Sequence, residues 1–420
     1  MNGWQKVSEF LALKRNTTLL FGAVFLALTA ERLWLNFAPK YLETLGATVL
    51  VIGLFDALLT VLGAVYAYPG GWLTDRLGPR RSLLLFNALS LAGYVVVLYW
   101  QHWLALLLGS FLFIAWSAFS LPATFSIVAT AIETRKHTMG IGLQSLVRRV
   151  PMMVGPLMGG WLVTRYGWSR GVQLALLGCF GFSLATAVFQ WFMVEPPRRE
   201  ATSEKNDATA TFTDVLKSFS PALRELLVSD ILIRFCERIP FAFVILWAMN
   251  HAGLNAQEYG SLVAIEMGTA MLCYIPVAHL ADKHGRRPFV LVTFLFFTLF
   301  PVSLLWANTF GGLALAFAVR GLKEFGEPAR KALILGDAAP ELRARTYGAY
   351  YLIRDCVVTA GSFIGAGLWS LGPRMNFVGA TVFGAAGTLW YWWFVYRQPE
   401  TPRNRNGVDG SPGRPNTPPA

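Results

Sequence analysis

Glu31-Arg32 and Glu237-Arg238 are adjacent ionised pairs set inside stretches of leucine, alanine and phenylalanine. An ionised side chain in an apolar helix costs roughly 2.5–3.5 kcal/mol on insertion scales unless it faces water or a partner. Asp230, Arg234, Glu237 and Arg238 stand at i, i+4, i+7 and i+8, one face of a helix, and Arg320, Lys323, Glu324, Glu327 and Lys331 form a second stripe. Burial favours a neutral acid and a neighbouring cation favours the carboxylate, so acids among arginines are suited to exchanging a proton. Glu31, Glu237, Asp355 and Glu324 are the candidates for that role. Arg148, Arg320 and Arg354 fall near the middle of their runs and, with Arg32 and Arg238, are candidates for holding a carboxylate or phosphate, which suits an amphiphilic organic anion. Trp34, Trp116 and Tyr350 are candidate apolar walls. Asp56 and Glu266 are isolated acids that could serve a gate or pair across an interface.

The elements that must carry these charges are membrane helices. Of 420 residues, 55% are hydrophobic and 14% charged, and the mean hydropathy is +0.47. Soluble domains carry roughly 25% charge, so the balance excludes a cytosolic enzyme, a disordered chain and a nucleic-acid-binding module. The net charge of +12 sits largely in short loops between apolar runs, where it sets topology. Runs such as 104–115 and 289–305 lack the two-residue alternation of a barrel strand. The fold class expected is an all-α membrane protein of twelve transmembrane helices in two pseudo-symmetric six-helix bundles, with an N-terminal half at 1–194, a cytoplasmic linker at 195–224, a C-terminal half at 225–397 and a disordered tail at 398–420. Loops on one side hold Arg76, Arg80, Arg81, Arg135, Lys136, Lys283, Arg286, Arg287, Arg343 and Arg345, against Lys40, Arg165, Arg170 and Arg374 on the other, which places both termini in the cytoplasm of a multi-pass protein of the bacterial inner membrane. The first span resembles a signal peptide with a cleavage site ending at Ala30, but Glu31 beyond it has a counterpart inside the seventh span, so the segment belongs to the mature fold.

The two halves repeat. Glu31-Arg32 aligns with Glu237-Arg238 at an offset of 206 residues, as do Pro122 with Pro328, and Gly142, Arg148, Gly155 and Gly159 with Gly348, Arg354, Gly361 and Gly365. Asp75 aligns with Asp282 at an offset of 207. A duplication is the economical reading, and two six-helix halves about an axis along the membrane normal are the plan of a transporter class with its substrate site at the midplane.

Between spans two and three stands GGWLTDRLGPRR, and between spans eight and nine AHLADKHGRR. Both resemble the signature loop of the major facilitator superfamily, G-x-L-A-D-[RK]-x-G-[RK]-[RK]. The first departs at Pro79 and the second has Ala278 for the leading glycine. Gly71 would permit close helix approach, Gly78 and Gly285 a tight turn, while Asp75, Arg76, Arg80, Arg81, Asp282, Lys283, Arg286 and Arg287 could form a cytoplasmic latch that breaks in another conformation, or serve topology alone. In span five, Gly142, Gly155, Pro156, Gly159 and Gly160 resemble the superfamily's antiporter motif, with Pro151 in place of one glycine. That resemblance implies export by antiport; ordinary small-residue packing is the plain alternative. Where drug and proton antiporters of the superfamily carry an arginine in span four, residues 103–132 have no charge.

The function expected is a secondary active transporter moving a small organic solute by alternating access, in the manner of the proton-coupled efflux branch. An uptake symporter or facilitator for an organic anion is the alternative, and a transporter-like sensor or scaffold one of another class. No G-x-x-x-x-G-K-[ST], H-E-x-x-H or G-x-S-x-G occurs, so neither an ATP-driven pump nor an enzyme is indicated. The four cysteines form no C-x-x-C, and no cofactor or metal is expected. The partners expected are the small-molecule substrate, a proton or other ion and the lipid bilayer, without nucleic acid, for a monomer.

Overall fold

The computed structural model describes residues 15–120, 124, 137–194, 212–336 and 343–397; the expected tail at 398–420, Pro122, Arg135 and Lys136 lie outside the described residues, as do the side chains of Asp75, Asp282, Lys283 and Arg343. Among the described residues all regular structure is helical. In chain order it comprises α1 (Arg15–Trp34), α2 (Ala38–Thr44), α3 (Val49–Leu77), α4 (Pro79–Tyr99), α5 (Trp103–Phe113), α6 (His137–Tyr166) and α7 (Trp168–Trp191) in the first half. A short α8 (Phe212–Lys217) precedes α9 (Pro221–Phe241), α10 (Val244–Leu246), α11 (Ala256–His284), α12 (Arg287–Trp306), α13 (Phe310–Leu322), α14 (Glu327–Gly336), α15 (Arg343–Val358), α16 (Ala360–Leu371) and α17 (Pro373–Tyr391).

The starts are written locally. Thr48, Ser220 and Thr309 each accept a backbone N–H bond from the residue three positions on, Asn255 and Glu258 form a reciprocal capping box, and Pro79, Pro221 and Pro373 occupy first-turn positions where a missing N–H costs nothing. Seven helical spans are long and apolar enough to cross a membrane on length and composition alone. Those that fall short include the ones bearing Arg148, Asp230 and Glu266, where charged and small polar residues lower mean hydropathy, and the helix bearing Arg320, which is only 13 residues long.

Three spans are interrupted near mid-depth. The first passes through a 3-10 turn at Leu35–Phe37, the seventh breaks after Phe241 at the matching place in the repeat, and the eleventh breaks at Thr359. The tenth span is not one continuous helix: residues 323–326 are a non-helical turn between α13 and α14. Gly326 lies so close to α12 that a Cβ would stand 2.3 Å from the Phe289 carbonyl oxygen, and its N–H bonds to Thr293 Oγ1 at 2.5 Å instead of continuing the helix. The charged stripe is thereby divided between two helices with different directions.

Close packing bears the mark of the duplication. A Cβ on Gly155 would stand 2.7 Å from Arg32 Cβ, and one on Gly159 would stand 1.7 Å from the Leu33 carbonyl oxygen. In the second half, a Cβ on Gly361 would stand 3.2 Å from Arg238 Cβ and one on Gly365 2.2 Å from the Ile239 oxygen. The glycines of α6 and α16 thus let α1 and α9 pack at equivalent points, as small-residue seams do in membranes.

The halves meet through α6 against α11 and α3 against α16, two contacts related by the same pseudo-twofold. They are closed at the end that carries the turns at 45–48 and 252–255. There Gln257 N–H donates to Thr164 Oγ1 at 2.9 Å, Asn250 Nδ2 donates to Glu43 Oε1 at 2.9 Å, and Lys40 bonds both Glu43 and Asn250. A Cβ on Gly160 would meet the Ala256 oxygen at 2.5 Å. This is the distal end. The end bearing the loops at 78 and 285 is called the terminal end.

Candidate functional site

In the C-terminal half the intramembrane charges form one connected network. Asp230 on α9 binds Arg330 of α14 through a fully buried pair, accepts from Tyr350 OH at 3.2 Å and lies 3.4 Å from Arg354 Nη1. Arg330 also holds Glu327 at 2.6 Å, which Arg234 reaches at 3.4 Å. Arg234 binds Glu237 at 2.7 Å, Lys323 takes the other Glu237 oxygen at 2.8 Å, and Lys323 and Arg320 share Glu266 at 3.3 and 3.2 Å. Arg354 closes on Asp355 at 2.8 Å. Five carboxylates (Asp230, Glu237, Glu266, Glu327, Asp355) therefore face five bases (Arg234, Arg320, Lys323, Arg330, Arg354), a neutral set, with the exposed Lys331 at its edge 3.9 Å from Glu327. Desolvated ions persist when each is matched like this.

Two pairs cross between the halves. Arg238 Nη1 stands 3.3 Å from Asp56 Oδ1 of α3, while Ser362 Oγ donates to Asp56 Oδ2 at 2.6 Å. Arg149 on α6 donates to Glu324 Oε2 at 2.9 Å. Arg238 therefore leaves the face shared by Asp230, Arg234 and Glu237 and turns to the other half. Glu324 likewise parts from Lys323, because the turn at 323–326 separates their directions.

The N-terminal half is different. Arg32 Nη2 lies 3.6 Å from Glu31 Oε1, beyond hydrogen-bond range, and Arg32 Nε is buried with no hydrogen-bond partner. Arg148 Nη1 is buried in the same condition, and no ion pair joins Arg148 to a carboxylate among the described residues. Gly155 brings α6 against Arg32, and Arg148 lies seven residues, about 10.5 Å of rise, nearer the terminal end on the same face. Glu31 itself is 5% exposed.

The expected aromatic walls are corrected by burial. Trp34, Trp116 and Tyr350 are 1%, 3% and 0% exposed. Trp34 stands edge-on to Phe113 with ring centroids 5.0 Å apart, Trp116 packs with Phe86 and Leu83, and Tyr350 is spent on Asp230. Large rings here fill helix seams. A small void of about 10 Å³, room for about one water, instead lies beside Glu237, Arg320 and Lys323, lined by Phe296, Phe297 and Phe300, far below the volume that a solute needs.

At the terminal end, Gly78 and Gly285 take φ of 84° and 87°, a left-handed turn that each loop needs to reverse direction. Close approach in the first loop belongs to Gly70, where a Cβ would meet Phe119 Cα at 2.8 Å. Arg80 donates to the Trp191 carbonyl at 2.6 Å and Arg286 to that of Ala332 at 3.4 Å, so both bind carbonyls at or near helix C-termini of their own half. Arg76 lies over the Trp72 ring at 4.3 Å and Arg81 is exposed. The antiporter-like segment joins α1 through Gly155 and Gly159, and α11 through Gly160 and Pro156, whose oxygen would lie 2.3 Å from a Cβ on Gly260. Gly142 lies in the first turns of α6.

A family model described as Major Facilitator Superfamily matches residues 19–237 and 226–417, once for each half. The chain belongs to the major facilitator superfamily. It resembles the multidrug resistance protein MdtG of Enterobacter lignolyticus (strain SCF1), at 25% identity over 371 residues, 84% of this chain and 85% of that protein. MdtG of Serratia proteamaculans (strain 568) is 24% identical over 409 residues, 92% and 95% of the two chains. In fold it is similar to the nucleoside transporter NupG (TM-score 0.71, 14% identity, 91% of this chain and 98% of that one). It is also similar to a bacterial homologue of the human lysosomal transporter Spinster in an inward-facing, unoccupied conformation (TM-score 0.69, 14% identity, 92% and 96%). As a superfamily member it is an integral-membrane, twelve-helix transporter of a small molecule.

In this superfamily member, sequence reasoning passed over Arg149 and Ser362. Arg148 and Arg149 are neighbours in one run, and only the rotation of α6 decides that Arg149 faces Glu324. Ser362 carries no charge to flag it. Asp230 was visible as part of a stripe, but its position as the acceptor for two guanidiniums and a phenol required three helices to be placed.

Proposed function

We propose that this protein exports a small organic solute in exchange for protons, by alternating access at the region between its halves, with Glu31 as the principal proton carrier. The observation that carries the reading is the contrast between acids: Glu237, Glu324 and Asp355 each have a base within 2.9 Å, whereas the base nearest Glu31 is 3.6 Å away. An acid without a locked partner is free to change charge during a cycle. Export agrees with the names of the MdtG relatives and with the glycine-proline seam of α6. We place both termini and the segment 195–224 in the cytoplasm and treat the chain as a monomer of the inner membrane, from the ten-to-four bias of basic residues. Closure at the distal end is then an inward-facing state.

The test is solute flux in proteoliposomes under an imposed pH gradient. Glu31→Gln abolishes gradient-driven accumulation while leaving solute counterflow, whereas Glu237→Gln, which breaks a structural network, lowers the amount of folded protein. Full gradient-driven flux in Glu31→Gln would remove Glu31 from the coupling step. A second reading, proton-linked uptake of an anion, is favoured by one feature: Glu31 shares its surroundings with two arginines, so a proton on Glu31 frees them for an anion. The sign of the flux under the same gradient separates the two.

A further inference from the structure

The internal repeat allows each buried base to be compared with its counterpart. Arg354 in the C-terminal half is matched by Asp355 at 2.8 Å and Asp230 at 3.4 Å; the positions corresponding to Arg354, Asp355 and Asp230 in the N-terminal half are Arg148, Arg149 and Val24. Arg238 is matched by Asp56 of the opposite half; the corresponding pair is Arg32 and Leu262. Val24 and Leu262 are both wholly buried and apolar. Of the acids that face Arg354 and Arg238, Asp230 and Asp56 are thus replaced by hydrocarbon in the other half and Asp355 by Arg149, and Arg32 Nε and Arg148 Nη1 are buried there without a hydrogen-bond partner.

We infer that Arg32 and Arg148 form a binding site for a single anionic group, a carboxylate, phosphonate or phosphate, and that Glu31 is its internal competitor. The inference rests on the second reading above, proton-linked movement of an anion, and names the chemistry of what enters. Two guanidiniums against one carboxylate leave one positive charge in a low-dielectric setting, which an anion neutralises with charge-assisted hydrogen bonds. The groups facing Glu31 are Arg32 on its own helix, Arg148 on α6, the Tyr94 phenol on α4 and the Cys179 thiol on α7; Cys179 Sγ donates to the Ala30 carbonyl at 2.8 Å. Of these only the arginines carry a positive charge to hold an anion. A carboxylate at Glu31 repels the incoming anion and competes for the same donors, so proton uptake by Glu31 and anion binding favour each other. The other bases named as anion holders, Arg238, Arg320 and Arg354, already have carboxylates and take no part.

The test uses the full chain in detergent at low ionic strength, with phenylphosphonate, inorganic phosphate and uncharged benzyl alcohol titrated in a calorimeter. Phenylphosphonate binds and benzyl alcohol does not. Arg148→Gln weakens binding at least about tenfold, the size expected for a lost charge-assisted bond. Glu31→Gln tightens it about three- to tenfold and removes the strengthening seen on acidification. Val24→Asp, which installs the acid that the other half has, abolishes binding. Phosphate binding as tightly as phenylphosphonate with the same variant pattern assigns the site to a free inorganic anion; weaker phosphate assigns it to an anionic group of the solute. The inference is overturned by no anion binding to the unmodified protein, by Arg148→Gln at full affinity in a folded sample, or by weaker binding in Glu31→Gln. Gradient-driven flux without anion binding defeats this inference alone, whereas anion binding without flux defeats the transport mechanism alone.

Discussion

Asp230 carries more of the C-terminal half than any charge count suggests. One of its oxygens faces Arg330, Arg354 and Tyr350, from two different helices, and the Asp230–Arg330 pair is 1% exposed on both sides. Removing one partner of such a pair leaves an uncompensated buried ion and costs about 3–5 kcal/mol. Asp230→Asn accordingly lowers the melting temperature in detergent by many degrees. Lys331→Gln, at a side chain 45% exposed and 3.9 Å from Glu327, leaves it within a degree or two, because exposed pairs contribute about 0–1 kcal/mol. Equal shifts in the two variants would mean that the network is solvated.

Among the elements, α6 has the least freedom. Its glycines meet α1 on one side and α11 on the other, so a single methyl group is felt as a helix displacement. Gly159→Ala places a Cβ 1.7 Å from the Leu33 oxygen, a backbone atom that cannot swing aside, and loss of monodisperse protein in size-exclusion chromatography is expected. Gly181→Ala on α7 meets nothing within 4 Å and is tolerated or slightly stabilising, by up to about 1 kcal/mol of helix propensity. The tenth span behaves oppositely. Its turn at 323–326 releases Glu324 toward Arg149 and keeps Lys323 on Glu237 and Glu266, a division that an unbroken helix could not make.

At the scale of the molecule, the two halves share one buried core cluster and are further fastened at the distal seam and, two turns deeper, by Asp56 with Arg238 and Ser362. Alternating access requires that seam to part. In a cysteine-free background, Ala256→Cys, at a position 2% exposed in the closed seam, reports its opening through the rate of labelling by an impermeant maleimide. Adding Asp56→Asn with Arg238→Gln removes the inner pair without leaving a charge behind and raises that rate about fivefold for each kcal/mol withdrawn from the closed state. An unchanged rate would show that the pair contributes nothing to closure.

Much of the fold was legible in the chain. Apolar runs, loop charge and the 206-residue repeat specify twelve helices in two matched halves, because membrane insertion depends on composition and length that any sequence displays. The charges at Glu31, Arg148, Glu237 and Arg320 were legible as well, since each is costly in a lipid-facing run. What they pair with was not. Whether an arginine meets a carboxylate depends on helix rotation, on a broken turn at 323–326 and on glycine contacts closer than 3 Å, none of which leaves a period in the sequence. The tertiary structure alone therefore decided that the C-terminal charges neutralise one another while Arg32 and Arg148 do not, because Coulomb energy in a dry interior depends on distances between helices that the chain order does not encode.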